Sequence, residues 1–231
     1  MDNIREAINQ AVKNGRLDIL MDFHKKYKNK CPWDSQTCAN AVLNGHLDCL
    51  KYAHENGCPL NMTCFYAARN GHFDCLKYAH ENGSPWDAST CLIAAKNGHI
   101  ECLKYAHKNG CLWNEYTCCY AAKNGHLECL KYAHENGCPW DKLTCHYAVK
   151  NNHFDCLKYA YENGCPYPYP KELMPTIVKE ILIPKWRASV KSRFIIFYWM
   201  ERSAQTSCAE NGRARIEDII SFENDFNSLV L

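Results

Sequence analysis

Residues 124–150 read NGHLECLKYAHENGCPWDKLTCHYAVK, and lightly edited copies of that run recur along the chain. The Asn-Gly-His opening falls at Asn44, Asn70, Asn97 and Asn124, becomes Asn-Asn-His at Asn151, and has a degenerate copy at Asn14. From Asn44 onward the copies are spaced by 26, 27, 27 and 27 residues. A fixed period of this size marks a stacked-repeat protein, in which each unit packs on its neighbours instead of on one central core.

One unit, Asp87 to Trp113, shows what the repeat encodes. Asp87 is placed to cap a helix, its carboxylate accepting from the free N–H groups of the first turn. A first helix follows over Ala88 to Asn97, with Cys91, Ala94 and Ala95 as small inward residues. Gly98 ends it, because the left-handed backbone of a helix terminus is open to Gly and tolerated by Asn; Asn152 holds the same place in the last copy. A second helix runs from about Ile100 to Asn109. Ile100, Leu103 and Ala106 fall at i, i+3 and i+6 and form one apolar stripe, which Cys102 and Tyr105 widen. Glu101 lies where the helix dipole favours an acid and can pair with Lys104 at i+3. Gly110 stops the helix, and in most copies a proline follows the next cysteine at once: Pro59, Pro139 and Pro166.

Helices this short are marginal alone and persist by burying their stripes against the next unit. The sequence therefore predicts an all-α solenoid of six helix-turn-helix units, at about 1–33, 34–60, 61–86, 87–113, 114–140 and 141–167. The first unit is a more polar end cap whose second helix is longer and charged. One residue is missing near Asn61.

Asn-Gly-His-Leu-Glu-Cys-Leu-Lys-Tyr-Ala-His-Glu-Asn-Gly-Cys resembles the second half of an ankyrin repeat, G-H-L-E-V-V-K-L-L-L-E-x-G-A, and Ala-Ala-Lys-Asn before it resembles the ankyrin A-A-x-x. Ser89-Thr90-Cys91-Leu92 then occupies the position of the ankyrin T-P-L-H motif. The period is 27 and not the ankyrin 33, and the six absent residues fall where ankyrins build a β-hairpin finger, so fingers should be missing or minimal. The short form resembles ankyrin-like arrays of large DNA viruses of protists. The resemblance covers residues 1–167 and implies protein–protein binding, in the cytoplasm and, for a viral protein, in that of the host cell.

Composition excludes several classes. A formal net charge of +2 creates no field that would gather nucleic acid. The longest apolar run, Phe194 to Met200, is far too short to span a bilayer. The N-terminus is polar and in repeat register, which argues against a signal peptide. Of the 17 cysteines, 15 fall in three columns, one residue per unit per column. That regularity reads as reduced thiols filling a core, not as a disulfide framework. No C-x-x-C occurs, so no zinc site is expected, and no cofactor.

Two histidine columns repeat in nearly every unit. His46, His72, His99, His126 and His153 follow the helix-ending residue, and the ankyrin resemblance implies that they hydrogen-bond the turn. His54, His80, His107 and His134 lie late in the second helix. Residues repeated this faithfully serve stacking, so no catalytic set is assigned. Trp33, Trp86, Trp113 and Trp140, with Leu60 and Tyr167 in register, are read as covering the shortened loop.

Positions that change from unit to unit are the candidates for binding. On the first helices these are Asn40, Tyr66, Ile93, Tyr120 and Tyr147, the entering residues Gln36, Met62, Ser89, Tyr116 and Leu143, and the mostly basic column Leu43, Arg69, Lys96, Lys123 and Lys150. In ankyrins the first helix lines the concave face, so the resemblance implies a partner face made of Tyr66, Arg69, Ile93, Lys96, Tyr116, Tyr120, Lys123, Leu143, Tyr147 and Lys150.

Residues 168–231 lose the period. They are read as a helical C-terminal cap over the sixth unit. Pro170, Glu172, Leu173 and Ile177 resemble the opening of an F-box, L-P-x-E-L-x-x-x-I-L. That resemblance implies an alternative, an adaptor that recruits a cullin ubiquitin ligase through its Skp1 subunit.

Overall fold

The computed structural model describes residues 2–27 and 33–167. The cap and the F-box-like segment expected over 168–231 lie outside the described residues. Within them the chain is helical, with no strand. The first helices are α1 (Asp2–Lys13), α3 (Ser35–Leu43), α5 (Thr63–Asn70), α7 (Ala88–Asn97), α9 (Glu115–Lys123) and α11 (Lys142–Lys150). Each is followed by a second helix: α2 (Leu17–Tyr27), α4 (Leu47–Glu55), α6 (Phe73–Glu81), α8 (Ile100–Lys108), α10 (Leu127–Glu135) and α12 (Phe154–Glu162).

Caps set these boundaries. The side chains of Asp34, Asp87, Asn114 and Asp141 accept from backbone N–H groups in the first turns of α3, α7, α9 and α11 at 2.9–3.1 Å. Helix α5 is the exception. The residue missing near Asn61 removes the acidic cap, and Met62 enters the helix at φ 55° with no side-chain cap bond. A left-handed methionine costs roughly 1–2 kcal/mol, so this unit carries local strain. At the other ends, Asn56, Asn82, Asn109, Asn136 and Asn163 fold back and donate from Nδ2 to the carbonyls of Tyr52, Tyr78, Tyr105, Tyr132 and Tyr159 at 2.7–2.8 Å. The same carbonyls accept the backbone N–H of these asparagines at 3.1–3.3 Å, so each side chain adds a second bond to the last turn.

The core is built of columns. Cys38, Cys64, Cys91, Cys118 and Cys145 are fully buried on the first helices. Leu50, Leu76, Leu103, Leu130 and Leu157 are equally buried on the second, with Cys49, Cys75, Cys102, Cys129 and Cys156 beside them. First helices pack on first helices over more of their length than second helices do on second, because alanine, cysteine and threonine let backbones approach. Ile100 and Tyr105, placed on the inward stripe by spacing, are only half-buried; they sit at its edge.

The third cysteine column is a hydrogen-bonding one. The thiols of Cys58, Cys111, Cys138 and Cys165 donate to the carbonyls of Asp34, Asp87, Asn114 and Asp141 at 3.0–3.2 Å. Each thus ties the end of a second helix to the cap of the first helix in its own unit. In one unit Ser84 stands in this column, its hydroxyl donating to Leu60 at 2.8 Å. The position requires a small donor. Cys111→Ser is therefore expected to stay close to the parent in urea unfolding, whereas Cys111→Val, which leaves the Asp87 carbonyl with only the Thr90 N–H at 2.9 Å, costs about 0.5–1.5 kcal/mol more than the serine, the net worth of one hydrogen bond. Equal losses for both would refute the donor role.

Candidate functional site

The repeated histidines are consumed by stacking. His46 and His72 donate from Nε2 to the carbonyls of Lys13 and Leu43, at 3.1 and 3.3 Å. The bond goes to the last residue of the first helix in the preceding unit, where the ankyrin resemblance implied only a bond to the turn. These histidines are welds between units. Burial lowers the pKa of His126, which makes the same bond to Lys96.

The second histidine column does the same on the opposite edge. Nδ1 of His24, His54, His80, His107 and His134 is hydrogen-bonded to the hydroxyl of Tyr52, Tyr78, Tyr105, Tyr132 and Tyr159, each in the next unit, at 2.8–3.0 Å. Trp86, Trp113 and Trp140 stack flat on His80, His107 and His134 with ring centroids 3.7 Å apart. The same tryptophans meet Tyr105, Tyr132 and Tyr159 edge-on. The tryptophan column therefore covers the short loops, half-buried. Neither His24 nor the tyrosine column was singled out from sequence; their signal was recurrence at the same place in each unit.

The second-helix thiols offer little chemistry. Burial pushes Cys102 up to about 12 and Cys75 up to about 11, with nearby carboxylates adding to the effect. A thiol held protonated at neutral pH is neither a nucleophile nor a ligand. Among the described residues no three His, Cys, Asp or Glu side chains are grouped to hold a metal.

The variable positions come together differently. Tyr116, Tyr120 and Lys123 fall at i, i+4 and i+7 of α9, which places them on one face of the helix. Leu143, Tyr147 and Lys150 do so on α11, Met62, Tyr66 and Arg69 about α5, and Ser89, Ile93 and Lys96 on α7. The inward cysteine and alanines occupy the other side. Arg69, Lys96, Lys123 and Lys150 lie in the last turns of their helices, where cations complement the dipole. Arg69, Lys96 and Lys150 are exposed and Lys123 half-buried. Tyr66, Ile93, Tyr120, Tyr147 and Leu143 are half-buried, while Met62 and Tyr116 are 53% and 46% exposed.

Between helices this face is knitted by cation–π contacts. The Lys96 ammonium lies 5.3 Å from the Tyr120 ring centroid, and that of Lys123 lies 5.4 Å from Tyr120 and 4.8 Å from Tyr147. Among the described residues none of the four cations stands in an ion pair. The lysines that do, Lys104 with Glu101 and Lys131 with Glu128 at 3.1 Å, belong to the second helices. Asn40, in the tyrosine column of α3, is buried.

Comparison with known proteins agrees with this architecture. A family model of ankyrin repeats (3 copies) matches residues 91–168, and one of ankyrin repeats (many copies) matches residues 38–80 and 64–107. No curated protein matches. Among solved structures the chain is similar to the crystal structure of the human ASB11 ankyrin repeat domain, with a TM-score of 0.61 and 22% identity over 68% of this chain and 83% of that one; at that identity the likeness speaks for the fold alone. The family matches run from residue 38 to residue 168, more than half of the sequence, and the chain belongs to the ankyrin-repeat family.

Proposed function

We propose that the chain is a non-enzymatic scaffold that holds a protein partner on the outer face of its first helices, at Tyr66, Arg69, Ile93, Lys96, Tyr116, Tyr120, Lys123, Leu143, Tyr147 and Lys150. Ankyrin repeats as a class suggest a protein–protein interaction scaffold. One observation carries the reading to this face: the stacking columns hold nearly one residue type throughout, whereas the entering position is Gln36, Met62, Ser89, Tyr116 and Leu143 in turn and the next column mixes Asn40 and Ile93 with three tyrosines. Packing does not dictate it, and large side chains such as Tyr116 remain exposed there. Tyrosine and arginine are also the types that anchor interfaces. The thiols, core filler and not bridges, fit a reducing compartment, and we place the protein in the cytoplasm, that of a host cell if the viral likeness of the repeat extends to its origin.

An affinity capture compares the full chain with an Ile93→Ser/Tyr116→Ser/Leu143→Ser variant and with a second-helix control, Lys104→Ser/Lys131→Ser. The expected result is a protein retained by parent and control and lost from the face variant at unchanged helicity. Capture unaffected by the face variant overturns the reading. The second reading, a ligase adaptor, is supported by the run Pro170, Glu172, Leu173 and Ile177. It requires Skp1 in the captured material, abolished by Leu173→Asp; Skp1 absent from the parent sample removes it.

A further inference from the structure

The cation row has a chemistry and a spacing, and the two together specify an occupant. Four positive groups, Arg69, Lys96, Lys123 and Lys150, come one from each of four consecutive first helices. None is neutralised by a carboxylate of the described chain. On the same four helices the acidic side chains near this face reduce to Glu115, at the opposite end of α9 from Lys123. The N-cap carboxylates of Asp87 and Asp141 are engaged by backbone N–H groups. The second-helix acids at this end of the units are Asp74, Glu101, Glu128 and Asp155; Lys104 and Lys131 engage Glu101 and Glu128, and Lys77 and Lys158 stand at the same i+3 position from Asp74 and Asp155. The row is thus an unbalanced strip of positive charge on a chain whose net charge is only +2.

The ammonium groups are also held in place. Lys96 and Lys123 rest against Tyr120 and Tyr147, in an unbroken order Lys96, Tyr120, Lys123, Tyr147 across α7, α9 and α11. A flexible lysine usually loses side-chain entropy when it binds an anion; one already laid on an aromatic ring loses less. Successive helices pack about 8–10 Å apart, which sets the step of the row. A polyproline II segment advances about 3.1 Å per residue and turns once in three residues, so every third side chain returns to one edge after about 9 Å. The two steps coincide. A β-strand presents one edge every second residue, about 6.6 Å, and does not match.

We propose that this row binds an acidic segment of a partner protein, extended in the polyproline II manner with a carboxylate at every third residue, one for each of Arg69, Lys96, Lys123 and Lys150. The inference rests on the first-helix face being the binding face and adds what the partner presents to it. A nucleic acid strand is the less fitting anion. Along a duplex the phosphates of each strand recur about every 3.4 Å of helix axis, so the row would meet only about one in three. The bases would also need open aromatic faces; Tyr120 and Tyr147 each carry a lysine over the ring, which leaves Tyr116 as the exposed ring of this face.

The test uses the full chain and a fluorescent twelve-residue peptide with glutamate at every third position and proline, serine and alanine between. Binding is read by anisotropy. The expected result is saturable binding that weakens about tenfold as salt is raised to about 0.3 M. Lys96→Glu/Lys123→Glu weakens it at least about tenfold, while the second-helix control Lys104→Glu/Lys131→Glu leaves it unchanged, both variants keeping the parent circular dichroism. A peptide with its four glutamates at alternate positions binds several-fold less tightly. Equal affinity for Lys96→Glu/Lys123→Glu, equal affinity for the two glutamate spacings, or no binding of either peptide overturns the proposal. So does tighter binding of an oligothymidylate of matched charge, which would assign the strip to nucleic acid. If the peptides fail while a captured protein still depends on Ile93, Tyr116 and Leu143, the scaffold reading stands and only its acidic partner falls.

Discussion

Leu103→Ala is expected to destabilise the protein by about 2–5 kcal/mol, the range for emptying a filled core site. Leu103 has no exposed surface, and neither do Leu50, Leu76, Leu130 and Leu157 in the same column. The cost arises twice. The lost side chain forfeits its own transfer free energy, and the hole remains because the flanking residues are short. Cys102 and Ala106 beside it cannot extend to fill the gap. Because each unit is stabilised by its neighbours, loosening one interface weakens the whole array and not a single hairpin. Ile100→Ala, on the same helix but half-buried, should cost clearly less, about 1 kcal/mol. Urea unfolding followed by circular dichroism measures both. A loss below about 0.5 kcal/mol at Leu103, or a larger loss at Ile100, would mean that the inward stripe of α8 is wrongly assigned.

How much of this was legible in the sequence depended on whether a signal was local. The bounds of α7, the Asp87 cap and the Glu101–Lys104 pair are contained within one unit, and each appears as its spacing implied. Partners in other units were harder. His46 follows Gly45 in sequence and also lies over the preceding unit's turn in space, and a periodic sequence makes the two alternatives look identical. Only the folded chain shows its bond to Lys13. Tyr105 was read as the edge of an apolar stripe, because nothing near it in sequence names an acceptor for its hydroxyl. The partner is His80, a full unit away. Asn109 was overlooked beside Gly110, although its side chain closes the end of α8.

The candidate face was legible as a set of variable columns but not as a surface. That Met62, Tyr66 and Arg69 share a face follows from helical geometry, yet the contact between Lys96 and Tyr120 depends on how far α7 stands from α9. Distance between helices is a tertiary quantity, set by the small residues Ala94, Ala95, Ala121 and Ala122 that let them approach. The basic column could be counted from sequence; its alternation with aromatic rings could not.

Gly98→Ala is expected to cost about 2–3 kcal/mol, far more than Gly110→Ala, although both glycines end a helix or its turn with a positive φ, 79° and 86°. A left-handed conformation penalises any Cβ, by about 1 kcal/mol or somewhat more, and that part is common to both. The surroundings differ. A Cβ at Gly110 would meet nothing within 4 Å, whereas one at Gly98 would stand 2.6 Å from Nδ1 and 2.8 Å from Cε1 of His126. The imidazole would have to move, and moving it breaks the weld to the preceding unit, worth about 1 kcal/mol as a net hydrogen bond. The chain contains its own control. Asn152 holds this position in the last copy at φ 61°, and no Asn-Gly-His follows it in the sequence. A side chain is present only in the copy that no such histidine follows. The double variant Gly98→Ala/His126→Ala therefore separates the two contributions. If collision with the ring is the larger part, adding Gly98→Ala to the His126→Ala background costs only about 1 kcal/mol, the same as Gly110→Ala in the parent. Equal costs for Gly98→Ala with and without the histidine would leave backbone strain as the whole effect and mean that the ring yields to the added Cβ without losing its bond to Lys96.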